Sequence, residues 1–155
     1  MHRFWLSLRK YLLDVFSFLW DNNNTMSGRV EYWLELCDSD LSTARVLFQA
    51  GHYLPMSFYC HMIVEKALKA VVARKTGEIP PRIHDLDKLA IRGGIYETLS
   101  EKQLVLLKDL GPLQIEARYP GEEEMPVHEL TSTESEQILK ETEEFLCWIK
   151  QKLEK

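Results

Sequence analysis

From Val30 to Phe48 the apolar residues Val30, Trp33, Leu34, Cys37, Leu41, Ala44 and Phe48 recur at steps of three and four. That is the period of one helix face and not of a strand. Similar spacing returns in later segments, with no sustained period-two alternation and no Asn-Gly or Asp-Gly hairpin turn. With 155 residues, 45% of them hydrophobic and 28% charged, the chain has enough apolar side chains for one core and too many for a disordered segment. The expectation is an all-α fold: an up-and-down bundle of four to five helices with an extra N-terminal helix, short connections setting neighbours in alternating direction.

Local signals divide the bundle. The first domain helix is expected from about Arg29 to Ala50, with Ser27 as N-cap and Gly51 as its left-handed end. A second, tolerating Pro55 in its first turn, runs to about Lys75 and stops at Gly77 and Pro80-Pro81. A short helix spans about Asp85 to Arg92 before Gly93-Gly94. Ser100 and Gln103 form a capping box for the next, whose apolar row is Leu104, Leu107 and Leu110. Gly111-Pro112 is expected to kink or break that helix, leaving Leu113 to Arg118 as a reoriented last turn. Residues 119–130, with two prolines and three consecutive glutamates, read as a loop. The last helix is placed from Thr133, with Glu136 completing its box, and buries Ile138, Leu139, Thr142, Phe145, Leu146, Ile149 and Leu153.

Residues 1–25 stand apart from 26–155. Positions 4 to 20 are mostly apolar, but Arg9, Lys10 and Asp14 keep any run below the ~18 residues of a membrane span. No uncharged central segment with a small-residue cleavage site marks a secretory signal. As a helix this stretch has one narrow polar stripe of Arg3, Ser7, Lys10, Asp14 and Ser17. It reads as an interfacial membrane helix, a helix packed on a partner, or translation from an upstream start when the biological start is Met26; the last is favoured. Asp21 to Thr25 is a turn-rich linker.

Cys37, Cys60 and Cys147 are odd in number and contain no Cys-x-x-Cys pair, which points to reduced, cytoplasmic thiols rather than a disulfide framework or a zinc site. The net charge of −5 argues against indiscriminate nucleic-acid binding, yet the charge is uneven. Residues 66–92 hold seven Lys and Arg against Glu78, Asp85 and Asp87, and from Glu116 onward acids outnumber bases eleven to five. Two readings follow: solvated helix faces, or a basic surface for phosphates or a complementary partner.

Three blocks carry the candidate chemistry. His61, Glu65 and Lys69 recur every four residues and line one helix stripe, where they could position a phosphate or transfer a proton. The plainer reading is a surface ion pair between Glu65 and Lys69. His61 and Glu65 with His84 could share a metal, but the two-histidine helical zinc motif is missing. His84-Asp85-Leu86 either caps a helix or, with Arg82, meets an anion at its N-terminus. Arg118-Tyr119-Pro120 ends a helix, where the guanidinium either meets the negative dipole end or grips a phosphate while the tyrosine stacks on a base. No phosphate-cradling glycine loop and no Gly-x-Ser-x-Gly elbow is present. A bound nucleotide would therefore be held by helical side chains.

In this order and spacing, with Trp33, Asp40-Leu41 and Ala44 in the first helix and a Gly51-His52-Tyr53 turn, these blocks resemble the HEPN domain (higher eukaryotes and prokaryotes nucleotide-binding) over about residues 29 to 153. Glu65, Lys66 and Lys69 match a motif of that family, His61 stands where it more often has glutamine, and Arg-Tyr-Pro marks the branch this chain looks like. The resemblance implies a homodimer that is not itself catalytic, binds a nucleotide or nucleic-acid phosphate, and serves a separately encoded minimal nucleotidyltransferase. Its candidate ligand residues are His61, Glu65, Lys66, Lys69, His84, Arg118 and Tyr119, with no catalytic residue, metal or cofactor assigned. Two alternatives remain: an RNA-cleaving toxin of a toxin–antitoxin pair, and a helical interaction module without ligand. Many family members resembling such toxins carry an arginine followed, with four to six residues between, by a histidine near the end of the fourth helix. Here Arg118 precedes His128 with nine residues between, while Arg45 and His52 fit the spacing in the wrong helix.

Overall fold

The computed structural model describes residues 26–118 and 129–155. The apolar stretch expected to form an N-terminal helix, Tyr119 and His128 lie outside them. The described residues form five α-helices and no strand: α1 (Met26–Gln49), α2 (Tyr53–Thr76), α3 (Leu86–Gly93), α4 (Glu101–Arg118) and α5 (Ser132–Leu153), with a single 3₁₀ turn at Tyr96–Thr98. No helix among them is long and apolar enough to cross a membrane.

Helix α2 is the centre of the bundle and packs against all four others. That position explains its composition, since from Met56 to Ala73 most of its residues are buried and apolar side chains occur on nearly every face. Around it the core is completed by Cys37 and Ala44 of α1, Leu86 and Leu89 of α3, Leu106, Leu107 and Leu110 of α4, and Leu139, Phe145, Leu146 and Ile149 of α5. Each such aliphatic side chain contributes roughly 1.5–3 kcal/mol on burial.

Several boundaries differ from the sequence expectation for identifiable reasons. α1 begins early enough that Ser27 lies within its first turn, where its hydroxyl donates to Glu31 at 3.2 Å instead of capping the helix. α5 starts at Ser132 under a capping box of Thr131 and Glu134, two residues before the Thr133–Glu136 pair. Both pairs carry the motif; in the observed register Ser135 is buried and its hydroxyl donates to the Thr131 carbonyl at 2.7 Å. α4 runs through Pro112 without a break. Pro112 is exposed, while Leu110 and Leu113 on either side are buried, so packing outweighs the lost hydrogen bond. Leu106 joins the buried row of α4, and Leu104 is only partly buried.

The short helix α3 is held where it matters for the site. Asp85 caps it by accepting from Lys88 N–H at 3.0 Å, which also holds the Asp85 carboxyl below its ordinary pKa. Gly94 ends it in the left-handed conformation (φ +72°), and at Gly93 a methyl group would come within 3.0 Å of Val71 in α2. This close approach sets α3 tightly on α2 and brings His84, just before its cap, over the α2 side chain Glu65.

Candidate functional site

Glu65 is the hub of a polar cluster in the middle of α2, its side chain only 10% exposed. Lys69, one turn on, donates to Oε1 at 2.6 Å, and its ammonium lies 5.4 Å from the ring centroid of Trp33 in α1. A buried ammonium is thereby held between a carboxylate and an aromatic face. The expected surface ion pair is therefore an interior one, because α1 covers this face of α2. At Oε2 the second donor arrives from another segment: His84 Nδ1 lies 3.0 Å away, on a side chain 54% exposed.

His61 approaches the same oxygen through Nε2 at 3.5 Å, with its side chain 1% exposed. At that separation it is an electrostatic neighbour rather than a hydrogen-bond donor, and neither of its ring nitrogens has a hydrogen-bond partner. Burial pushes the Glu65 pKa up, but the neighbours His61, Lys69 and His84 more than offset this and hold it down to about 2. Glu65 is thus a permanent carboxylate whose charge is matched inside the protein. Among the described residues no three His, Cys, Asp or Glu side chains are arranged to hold a metal ion.

The other candidates separate. Lys66 points away from the cluster and pairs with Asp40 of α1, both side chains being largely buried, which leaves it a structural tie between α1 and α2. Arg118, at the exposed end of α4, stacks its guanidinium 5.2 Å from the ring centroid of Phe58. No carboxylate pairs with it among the described residues. Phe58 precedes Glu65 by seven residues on α2, two turns or about 10 Å along the same face. The structure thus gathers His61, Glu65, Lys69 and His84 around one carboxylate and sets Arg118 two turns away along that helix, without direct contact between the two groups. Tyr119 lies outside the described residues.

Three further residues support the cluster in roles the sequence did not assign them: Trp33 and Asp40 stood there only in the first-helix pattern, and Phe58 was not named. Phe58 carries Arg118, Trp33 covers Lys69, and Asp40 neutralises Lys66. For Phe58 the usable trace is its spacing, because seven residues before Glu65 is the same helix face. The thiols take no part: Cys37 and Cys60 are buried, and burial raises each pKa to about 12. The formal Arg45–His52 match is also structural at its first member, since Arg45 pairs with Glu143 of α5 at 2.8 Å.

Glu65 and Lys69 satisfy each other in the interior, His84 carries one ring edge out from them, and Arg118 rests its guanidinium on the Phe58 ring with no carboxylate partner among the described residues.

Comparison with known proteins gives a consistent picture. The model of the HEPN domain matches residues 30–153. A protein of Methanocaldococcus jannaschii named "Putative toxin MJ1304" is 32% identical over 130 residues, covering 76% of this chain and 84% of its own length. Two crystal structures share the fold: TT1696 from Thermus thermophilus, with a TM-score of 0.69 at 23% identity, and ST0689, described as an archaeal HEPN homologue, with a TM-score of 0.54 at 21% identity. Each covers 80% of this chain, and the match takes in 98% and 97% of the two structures respectively. With the family model spanning most of the sequence and a relative of this identity over most of both lengths, the chain belongs to the HEPN domain family.

Proposed function

We propose that this protein binds a phosphate-bearing ligand, a nucleotide or a short stretch of RNA, on the face shared by His84 and Arg118, and that it acts by binding rather than by cutting. The observation that carries this reading is the division of labour around Glu65. The buried carboxylate and ammonium neutralise one another, while His84 is held half-exposed and Arg118 is exposed without a carboxylate partner among the described residues. Groups locked in the interior build the site, and groups at its rim meet the ligand. In this reading the protein is a cytoplasmic homodimer that works with a separately encoded minimal nucleotidyltransferase, as the family resemblance implies. A thermal-shift screen with nucleotides and short RNAs tests it, since a ligand at 100 times its Kd stabilises by about 2.7 kcal/mol. No shift with any of them would contradict it.

The name of the Methanocaldococcus jannaschii relative favours a second reading, in which the chain is an RNA-cleaving toxin. General acid–base catalysis needs its proton-transferring groups held within hydrogen-bond reach of the reacting atoms, and the toxin pattern would supply them from an arginine and a histidine. Nine residues separate Arg118 from His128, so their spacing does not guarantee that arrangement. RNA cleavage without added metal that disappears in both Arg118→Ala and His128→Ala would establish this reading over the first.

A further inference from the structure

We infer that His61 is the standby donor to Glu65: when a ligand draws His84 away from Oε2, His61 takes that oxygen, and the rim histidine is released without leaving the buried carboxylate short of a partner. His61 is a positioning residue in this scheme. The inference rests on the proposed function for what moves His84, and it assigns how the site lets that side chain go.

Two imidazoles approach one carboxylate oxygen, one from the rim and one from the interior. His84 Nδ1 lies 3.0 Å from Oε2 on a side chain 54% exposed, and Glu65 is its one polar contact among the described residues. A carboxylate only accepts, so Nδ1 donates in the charged and the uncharged ring alike. His84 also stands on the connection between α2 and α3, outside both helices, and its side chain can turn without unwinding either.

His61 is the reverse case. It is fixed in the middle of α2, 1% exposed, with Nε2 3.5 Å from the same Oε2 and neither ring nitrogen hydrogen-bonded. Native proteins rarely bury such a group without a partner, because nothing then replaces its lost hydration. Closing the gap to an ordinary hydrogen bond of ~2.9–3.0 Å takes a shift of roughly half an ångström, within a small side-chain rotation. Lys69 meanwhile keeps Oε1 at 2.6 Å and holds the carboxylate in the interior. Release of His84 therefore breaks one hydrogen bond to Oε2 and forms another to the same atom. The exchange lies near balance, so a modest preference of the ligand for the released histidine is enough to drive it.

Removing His84 imitates its release. In nitrogen-15 NMR of the histidine-labelled full chain, with His61 assigned by the signal lost in His61→Gln, the His61 Nε2–H should become hydrogen-bonded and slow to exchange in His84→Ala. A His61 signal unchanged by the substitution, or already hydrogen-bonded in the wild type, would overturn the inference. Denaturant unfolding gives a second readout. His84→Ala should raise the unfolding constant about tenfold more in a His61→Met background than in wild type, whereas a His61→Gln background, which keeps a donor, should behave as wild type does. Equal effects in all three backgrounds would contradict the standby role; if His61→Met does not fold, the NMR comparison decides. Finally, a short oligoribonucleotide is titrated into the labelled wild type. Binding with the same His61 change supports the inference, and binding without it overturns it. No binding would overturn the proposed function, while the His84→Ala comparison still decides the exchange.

Discussion

His84 and Glu65 are nineteen residues apart in sequence, yet Nδ1 of the imidazole lies 3.0 Å from the buried carboxylate. One hydrogen bond thereby joins the entrance of α3 to the middle of α2 and couples the rim of the site to its most heavily committed interior group. The behaviour of Glu65 should govern both stability and recognition.

Acid should weaken this link in a defined window. The Glu65 pKa is depressed in the folded protein, so its contribution is fully present above the ordinary value of 4.5 and is lost as pH falls through about 2. Denaturant unfolding of wild type and Glu65→Gln at several pH values should show a stability difference that is largest near neutrality and shrinks between those limits. At neutral pH, Glu65→Gln should cost about 3–5 kcal/mol, because Lys69 is left buried without its counter-ion. A difference independent of pH would show that Glu65 is not held ionised by its neighbours.

Arg118 should behave in the opposite way. Its guanidinium is exposed and rests on Phe58, so Arg118→Ala should cost at most ~1 kcal/mol of stability with helix content unchanged. Circular dichroism and denaturant melts check this. A large loss of stability would make Arg118 a structural residue and remove it from the site.

Thiol chemistry should distinguish the three cysteines. Cys37 and Cys60 are buried with pKa values raised to about 12, and Cys147 is exposed. A thiol-specific reagent should label Cys147 rapidly in the native protein and the other two only on unfolding. Rapid labelling of all three would show that the α1–α2–α5 core opens far more readily than its packing implies.

Much of the fold was legible because helical spacing and caps are local signals. The core face of α1, the stop at Gly77 and the Ser100–Gln103 box all follow from residues within a few positions of one another. Where two local signals competed, as with Thr131 and Thr133, the choice fell to packing of the whole of α5, which no short window contains. The site was legible as a set of residue types but not as an arrangement. The spacing of Glu65 and Lys69 indicated a pair, while its burial depends on Trp33 from another helix. Similarly, Lys66 stands beside Glu65 in sequence, yet it turns to Asp40 because adjacent residues on a helix point about 100° apart.

The domain beginning at Met26 should fold without the first 25 residues, since α1 to α5 bury one continuous core of their own. Residues 26–155 should be soluble and unfold in a single cooperative transition. An insoluble or molten product would show that the apolar N-terminal stretch belongs to the core.

The most direct test of the central claim is an equilibrium titration of a labelled short RNA into wild type, Arg118→Ala and His84→Ala by fluorescence anisotropy at fixed salt. Removing a charge-assisted contact of ~1.5–3 kcal/mol should weaken binding about tenfold or more in Arg118→Ala, and His84→Ala should weaken it as well, with helix content unchanged in both. Affinities equal to wild type in both variants would contradict a shared ligand site on this face and leave His84 and Arg118 as structural residues.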